Sequence, residues 1–237
     1  MRDPGIEPIT GSAESGVAPP TPLPAATIAL VRDGESGAEV LLLRRPPHSS
    51  FAPDNWVFPG GRVDAADFEL DHDAIADGPS ARAWARTLGI DDAREAGAYV
   101  VAAVRETWEE TGILLAHGTL DVAARDSARL AMLAGGAALK DHLERLGLRL
   151  GTAKLRYIGH WITPEWLPRR FDTRFFQTRV DREAICMLHG EEIAEYRWVG
   201  AAAALRAASA GEIKLLPPTL HTLRLIGESA SADGSKF

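Results

Sequence analysis

Three glutamates, Glu106, Glu109 and Glu110, are the side chains of this sequence whose type and spacing most directly suggest chemistry. In a helix, positions i, i+3 and i+4 lie on one face, so the three carboxylates would be gathered there. Like charges spaced in this way repel each other, and a divalent cation, which takes oxygen ligands, would relieve the repulsion. The spacing is therefore compatible with a carboxylate metal site, which the surrounding sequence, described below, favours. The alternative is an acidic face turned to solvent, which is the usual role of a charge run.

The element that must carry these carboxylates is a helix predicted over residues 94–112. A rotation of about 100° per residue places apolar side chains, among them Val104 and Trp108, on the opposite side. The helix is therefore expected to bury an apolar back and to turn the acid cluster outward. Asp92 and Glu95 form a predicted capping pair at its start.

A glycine pair, Gly60 and Gly61, lies upstream of this helix in the segment WVFPGGRVD at residues 56–64. Two glycines after an apolar run let the backbone turn tightly and bring main-chain groups close to a ligand or a metal. Alone, the pair would be an ordinary turn. Its position ahead of the acidic helix gives it a second interpretation.

Together, F-P-G-G followed by R-E-x-x-E-E-x-G resembles the signature of the Nudix hydrolases. In that family a loop-helix-loop holds divalent metal against a diphosphate, and water cleaves the linkage between a nucleoside diphosphate and its substituent. The resemblance implies an α/β fold, a Nudix-like α/β/α sandwich with a mixed sheet and helical insertions. It also implies Mg2+ or Mn2+ as cofactor, held by Glu106, Glu109 and Glu110 with the carbonyl of Gly61.

The same resemblance implies catalytic roles for four residues. Arg105 is expected to orient the carboxylates rather than to clamp the substrate. Two alternatives remain for the general base: Glu106, or an acid of a later loop, for which Glu191 and Glu192 in HGEEIAEYRW qualify. A Glu-Glu pair in a loop is otherwise an ordinary surface feature.

The signature is interrupted by about 30 extra residues. The usual box has a glutamate six residues after the second glycine and eight before the arginine. This chain has Asp67 at the first spacing and Gly97 at the second. Asp64, Asp67 and Glu95 are therefore alternatives for the fourth carboxylate.

Two later stretches, W-x-T-P with R-R-F-D-T-x-F-F at residues 161–176 and L-P-P-T at residues 216–219, resemble the peroxisomal acyl-coenzyme A diphosphatase branch. That branch cleaves coenzyme A or its thioesters into 3′,5′-ADP and a phosphopantetheine. Its pattern ahead of F-P-G-G has two arginines and a glycine, whereas this chain has Arg45, Ser50 and Asp54 there. The alternatives are an ADP-ribose or dinucleotide pyrophosphatase and a non-catalytic, Nudix-like ligand sensor.

Four arginines are expected to bind the anionic substrate, since guanidinium groups pair with phosphate through two hydrogen bonds. Arg45 leaves a predicted strand towards the glycine pair, and the other three lie among aromatic residues: Arg169, Arg170 and Arg174. The alternatives are solvated surface arginines or a salt-bridged sheet edge.

Length and composition favour one domain, at residues 25–228, with helical insertions near 68–93 and 119–150. Residues 1–24, rich in Pro, Gly, Ala and Ser, are predicted to be a disordered tail, and residues 229–237 a second tail. Strands are predicted at 27–32, 39–44, 154–162, 173–180 and 193–199. Helices are predicted at 79–88, twice within 119–150, and at 201–208 and 218–226.

A formal charge of −7 argues against binding to nucleic acid or to anionic membranes and leaves a small-molecule nucleotide as the expected partner. The one cysteine, Cys186, excludes an internal disulfide and is expected in the core. No apolar run is long enough to span a membrane, and no signal pattern is present, so a cytoplasmic location is expected. The oligomeric state stays open, with a homodimer as one alternative.

Overall fold

The computed structural model describes residues 18–118, 121–135, 139–188 and 192–233. Eight strands within these ranges form one mixed sheet, and β5 and β6 pair separately. The strands are β1 (Leu23–Gly34), β2 (Gly37–Arg44), β3 (Asn55–Val57), β4 (Gly60–Arg62), β5 (Ala116–His117), β6 (Arg149–Leu150), β7 (Arg156–Ile162), β8 (Phe171–Arg179), β9 (Glu195–Gly200) and β10 (Lys214–Leu215). All five predicted strands are found, with different ends.

Helices cover both faces of the sheet. They are α1 (Ala65–Phe68), α2 (His72–Ile75), α3 (Ala81–Leu88), α4 (Ala93–Thr111), α5 (Val122–Leu133), α6 (Leu139–Leu146), α7 (Ala201–Ser209) and α8 (Pro217–Asp233). Helices α3 to α6 share one hydrophobic core with the sheet, and α7 and α8 share another on the opposite face. The predicted α/β/α sandwich with a mixed sheet is confirmed.

Strand β1 is the strand on which the arrangement depends. It pairs in parallel with β8 along one edge, while its other edge is divided between β4 and β2, both antiparallel. Ile28 and Leu30 lie in the core beneath α4, whereas Ala29 and Val31 lie in the core beneath α7 and α8. Because side chains alternate along a strand, β1 serves both cores at once. The divided edge brings the glycines of β4 next to the strand at the centre of the sheet.

Helix α4 begins after Asp92, whose side chain accepts a hydrogen bond from the Arg94 amide (2.8 Å), and it ends at Gly112 in the left-handed conformation (φ 74°). The predicted orientation of this helix is wrong. It is buried on nearly all sides, and Glu110 is only 9% exposed. Loop residues from 60 to 62 lie against its acidic end, so the carboxylates do not face open solvent.

The first insertion belongs to the core. Trp84 of α3 is buried, and its ring meets the Phe176 ring edge to face at 5.7 Å. Asp77 ties the insertion to the second one, because its carboxylate accepts a hydrogen bond from the Thr152 amide (2.6 Å) and pairs with His117 (2.9 Å). Two short helices that were not predicted, α1 and α2, precede α3 in this insertion.

Both ends of the domain differ from the prediction. Strand β1 begins at Leu23, inside the segment expected to be a tail, and α8 continues to Asp233, past the predicted end at 226. Residues 1–17 and 234–237 lie outside the described residues. Helices of the length and apolarity needed to cross a membrane are absent from the described ranges.

The single cysteine lies in the core, as predicted. Cys186 is buried, and burial raises the pKa of its thiol to about 12. A thiol of this kind stays protonated at neutral pH and behaves as a small apolar group.

Replacing Trp84 with alanine should lower the free energy of unfolding by about 3–5 kcal/mol, because a large side chain between α3 and the sheet leaves a cavity. Arg86→Ala, on the exposed side of the same helix, should change it by less than about 0.5 kcal/mol. Urea unfolding of both variants measures the difference. Equal stabilities would mean that the insertion does not belong to the core.

Candidate active site

Arg105 holds together the two parts of the interrupted signature. Its Nε and Nη2 donate to the two carboxylate oxygens of Asp67, both at 2.9 Å, and Nη2 also donates to the Arg62 carbonyl (2.9 Å). Its Nη1 donates to Glu106 (2.9 Å) and to Glu109 (3.0 Å). One guanidinium thus connects α1, the glycine loop and the acidic end of α4.

Asp67 is the alternative for the fourth carboxylate that the fold places against this arginine. Asp67 is 1% exposed, and its second oxygen also accepts from the Asp64 amide (2.8 Å). Asp64 itself is half exposed, with one oxygen 3.6 Å from Arg105 Nη2. Glu95, in the first turn of α4, lies about 16 Å from Glu106 along the helix axis at ~1.5 Å per residue. Asp67 therefore orients the arginine that in turn orients the glutamates.

The glycine pair lies directly against two of the glutamates. The Gly60 amide donates to Glu110 Oε2 (2.9 Å). Gly61 leaves no space for a side chain, because a Cβ there would collide with the carboxylate of Glu106. The carboxylate of Glu106 therefore accounts for glycine at position 61, whereas at Gly60 a Cβ would collide with Thr27 and the Ala26 carbonyl of β1.

Burial raises the pKa of all three glutamates. Desolvation is the main cause for Glu106, opposed by the charge of Arg105 and assisted by Glu109, and its pKa is about 7. The pKa of Glu110 is raised well above its usual value, first by burial and then by the charge of Glu106, while the Gly60 amide and Arg45 act in the opposite direction. The pKa of Glu109 is raised by burial and lowered by Arg105, with a net rise.

These pKa shifts and the donor set fit a divalent cation. Glu106 and Glu110 are desolvated carboxylates next to each other, and carboxylate oxygens are the ligands that Mg2+ and Mn2+ prefer. Within the part of the chain that the structure describes, no three His, Cys, Asp or Glu side chains converge on one point. Glu106 and Glu109 instead each direct one oxygen to Arg105. Glu106 and Glu110, with Glu109, are thus the residues that would hold a cation.

Arg129 of α5 secures the end of α4 and was not singled out from the sequence. It is buried, and its Nη2 donates to the carbonyls of Glu109 and Met187, both at 2.8 Å. A positive charge at a helix C-terminus compensates the helix dipole and satisfies a carbonyl without a partner inside the helix. The one signal in the sequence is a charged residue inside the apolar run SARLAML, which does not reveal its partner.

Two of the four predicted substrate arginines meet the loop that follows β2. Arg45 donates from Nε to the Phe51 carbonyl (2.9 Å) and lies close enough to act electrostatically on Glu110. Arg169 donates from Nη1 to Ser50 Oγ (3.1 Å). A guanidinium from a distant part of the chain therefore lies at Ser50, one of the positions where the expected pattern has an arginine.

The third position of that pattern, where a glycine is expected, is occupied by Asp54. Asp54 adopts a positive φ of 59°, in the left-handed region that glycine enters at the lowest cost. Aspartate is among the residues that tolerate this conformation best. Asp54 thus has a backbone conformation that a glycine would also adopt readily.

The structure does not bring Arg170 and Arg174 to this loop, which corrects the expectation of one arginine group. Arg170 is buried and donates to the carbonyls of Thr163 (3.0 Å) and Pro20 (2.8 Å). Arg174 lies beneath α4, 5.7 Å from the centre of the Tyr99 ring. Tyr99 precedes Glu106 by seven residues, about 10 Å along the helix at ~1.5 Å per residue.

The later loop contains the two glutamates that are alternatives for the general base. Glu192 is exposed, and its charge raises the pKa of Glu110, although burial and the charge of Glu106 raise that pKa more. It therefore lies on the side of the site that faces Glu110. Glu191 lies outside the described residues.

The protein-family model of the NUDT19 Nudix domain matches residues 79–226 of this sequence. The chain belongs to this Nudix family. A crystal structure of a NUDIX hydrolase from Alicyclobacillus acidocaldarius is similar to it, with a TM-score of 0.73 and 32% identity, covering 86% of this chain and 90% of the other. The predicted family and its NUDT19 branch are confirmed.

Two curated relatives of this Nudix chain are called acyl-coenzyme A diphosphatase NUDT19. The protein from Homo sapiens is 29% identical over 239 residues, and the one from Gallus gallus is 28% identical over 247 residues. The alignments cover 85% and 86% of this chain, but they span only 64% and 65% of the relatives. Members of the family generally use divalent metal ions.

Without metal, the protein should become less stable as pH rises from about 4.5 to 7. The unfolded chain releases the Glu106 proton near pH 4.5, whereas the folded chain keeps it until about pH 7. Glu106 alone accounts for a loss of about 3 kcal/mol, from ~1.4 kcal/mol per pKa unit. Thermal unfolding in EDTA between pH 5 and 8 measures it, and Glu106→Gln should have a shallower profile than wild type. Parallel profiles would contradict the assignment.

Proposed function

We propose that the protein is a metal-dependent hydrolase that cleaves the diphosphate linkage of a nucleoside diphosphate derivative, and that this substrate is coenzyme A or acyl-coenzyme A. The products would be 3′,5′-ADP and a phosphopantetheine. The observation that carries the proposal is the contact of Glu106 and Glu110 with the glycine pair, held in place by Arg105 and Asp67. Desolvated carboxylates beside open main-chain groups suit a cation and the diphosphate bound to it.

Each residue of the candidate site has a separate proposed role in the reaction. Bound Mg2+ or Mn2+ would neutralise diphosphate charge and lower the pKa of a bound water. Glu106, Glu109 and Glu110 would hold the cation, while Arg105 keeps two of them oriented and does not touch the substrate. Glu106 and Glu192 are the two described alternatives for the base that takes the proton from water.

Coenzyme A is favoured over other nucleotides by the loop after β2. Arg45 and Arg169 supply two guanidinium groups there, and Asp54, at the position of the glycine in the pattern associated with coenzyme A, has a positive φ. The names of the curated relatives point to the same substrate class. Arg170 and Arg174 are no longer proposed to bind it, since their surroundings are buried protein groups.

The first test is a substrate panel. The protein is incubated with Mg2+ or Mn2+ and coenzyme A, octanoyl-coenzyme A, ADP-ribose or NADH, and the products are separated by chromatography. Release of 3′,5′-ADP from the first two compounds supports the proposal. Faster cleavage of ADP-ribose or NADH than of either would favour the alternative pyrophosphatase, and no cleavage at all would favour a ligand sensor.

Glu110→Gln should lower kcat by at least about a hundredfold, because it removes a charged metal ligand. It should still fold, since an amide oxygen can accept from the Gly60 amide and a desolvated charge is lost. The matched control is Glu95→Gln, in the first turn of the same helix, which should keep wild-type turnover. Wild-type turnover of the Glu110 variant in saturating Mg2+ would refute the metal site.

The 3′-phosphate of coenzyme A should contribute to recognition through Arg45 and Arg169. 3′-Dephospho-coenzyme A should have a kcat/KM lower by about tenfold to a hundredfold, since a charge-assisted contact contributes roughly 1.5–3 kcal/mol. Arg169→Ala should narrow the difference between the two substrates, whereas Arg179→Ala, of a surface arginine paired with Asp33, should not. Equal rates on both compounds with wild-type protein would reject this phosphate contact.

A further inference from the structure

A groove of about 660 Å³ opens beside the acidic end of α4. Gly112, two residues after Glu110, is one of its lining residues, and its walls include Ile113, Val122, Ile185 and Met187. Its volume lies within the range of small-molecule sites, about 300–1,000 Å³. Neither Arg45 nor Arg169 lines it.

The groove is joined to the proposed active site by hydrogen bonds. The Met187 amide donates to the Thr111 carbonyl (2.8 Å), and Arg129 Nη2 bridges the carbonyls of Glu109 and Met187. The wall that contains Ile185 and Met187 is therefore attached to the last turn of α4.

The walls of the groove expose apolar side chains. Ile185 is 72% exposed, Val122 59% and Met187 36%. Single exposed apolar residues are common on protein surfaces, but several that meet in one groove beside a site indicate a binding surface.

The basic side chains at the rim already have acidic partners. Arg125 pairs with Asp126 at 2.8 Å, Arg179 with Asp33 at 2.6 Å and His117 with Asp77 at 2.9 Å. Lys154 is the fourth basic residue of the rim. Because both arginines are paired with carboxylates, and Asp126, Asp181 and Glu183 also line the groove, it suits an uncharged apolar group better than a phosphate.

We propose that this groove binds the acylated pantetheine arm of the substrate, and that Ile185 and Val122 set the preference for acyl chain length. The inference rests on the proposed function, because it assigns the half of the substrate that is not nucleotide. The loop after β2 would then bind the nucleotide end of the substrate, and the groove would bind its acylated end. The diphosphate, which joins these two ends, would lie at the glutamates.

The test compares kcat/KM for acetyl-, butyryl-, hexanoyl- and octanoyl-coenzyme A. Full burial of one methylene is worth about fourfold, and an open groove covers roughly half of it, so we expect about twofold per methylene. The double variant Val122→Ser, Ile185→Ser should flatten this series by lowering kcat/KM most for octanoyl-coenzyme A and least for acetyl-coenzyme A. Leu130→Ser is the matched control, because Leu130 is 47% exposed on the same helix as Val122 but outside the groove, and it should keep the wild-type series.

Inhibition by a product fragment measures binding to the groove independently of turnover. 4′-Phosphopantetheine and its S-octanoyl thioester are compared as inhibitors of coenzyme A cleavage, and the thioester should have the lower inhibition constant, by about tenfold or more in wild type. The double variant should lose that difference.

The possible failures are distinguishable. Cleavage of coenzyme A with equal rates for all chain lengths would overturn the inference and leave the proposed function standing. Absence of cleavage of any coenzyme A compound would overturn both. A flat series accompanied by a change in molar mass of the double variant, measured by light scattering, would overturn it and assign the groove to an interface between copies of the chain.

Discussion

The ion pair between Arg105 and Asp67 is the interaction on which the rest of the site depends. Both side chains are buried, and burial alone would lower the pKa of the guanidinium, but the hydrogen bonds that it donates to Asp67 and the charges of Glu106, Asp67 and Glu109 raise that pKa above its ordinary value. A buried ion pair is weak evidence for stability, since desolvation offsets much of the attraction. Its role here is geometric: it fixes the distance between the glycine loop and the acidic turn of α4.

The divided edge of β1 supplies the second half of this geometry. Because β4 follows β2 along the same edge, Gly61 lies opposite Ala26, beneath the end of α4. The carboxylates consequently lie between helix and loop, where their charges are poorly solvated. The same burial that makes these groups costly in isolation would strengthen their attraction for the proposed cation, because a charge placed there is weakly screened by water.

Local patterns predicted much of this arrangement. The hairpin of β1 and β2, the limits of α4 and the glycine pair follow from turn residues, periodicity and spacing within short segments. The direction of side chains in paired strands was harder to predict. Arg174 shares a face of β8 with Phe176 and so lies under α4, and Arg170 finds carbonyl partners from distant segments. Those contacts depend on the register of β8 with β1, which no local pattern contains.

Contacts between distant segments account for the other omissions. Arg129 and Met187 meet only because α5 and the chain after β8 both reach the end of α4. The guanidinium near Ser50 likewise comes from Arg169, in the connection between β7 and β8. A departure from a sequence pattern is therefore not always a loss of the chemical group, since a residue far away in the chain can supply it.

The long interruption between the glycine pair and Arg105 has a consequence for how this site tolerates change. The two halves are joined by side chains and not by a short stretch of backbone, so the intervening segment acts as a tether. Lengthening a tether from about 14 to 44 residues costs only about 1 kcal/mol of closure entropy, because that cost grows with the logarithm of length. The geometry of the catalytic constellation is thus uncoupled from the length of the insertion. The length of that segment can therefore change without altering the site, provided that its buried residues, Trp84 among them, keep their places in the core and that Asp67 still reaches Arg105.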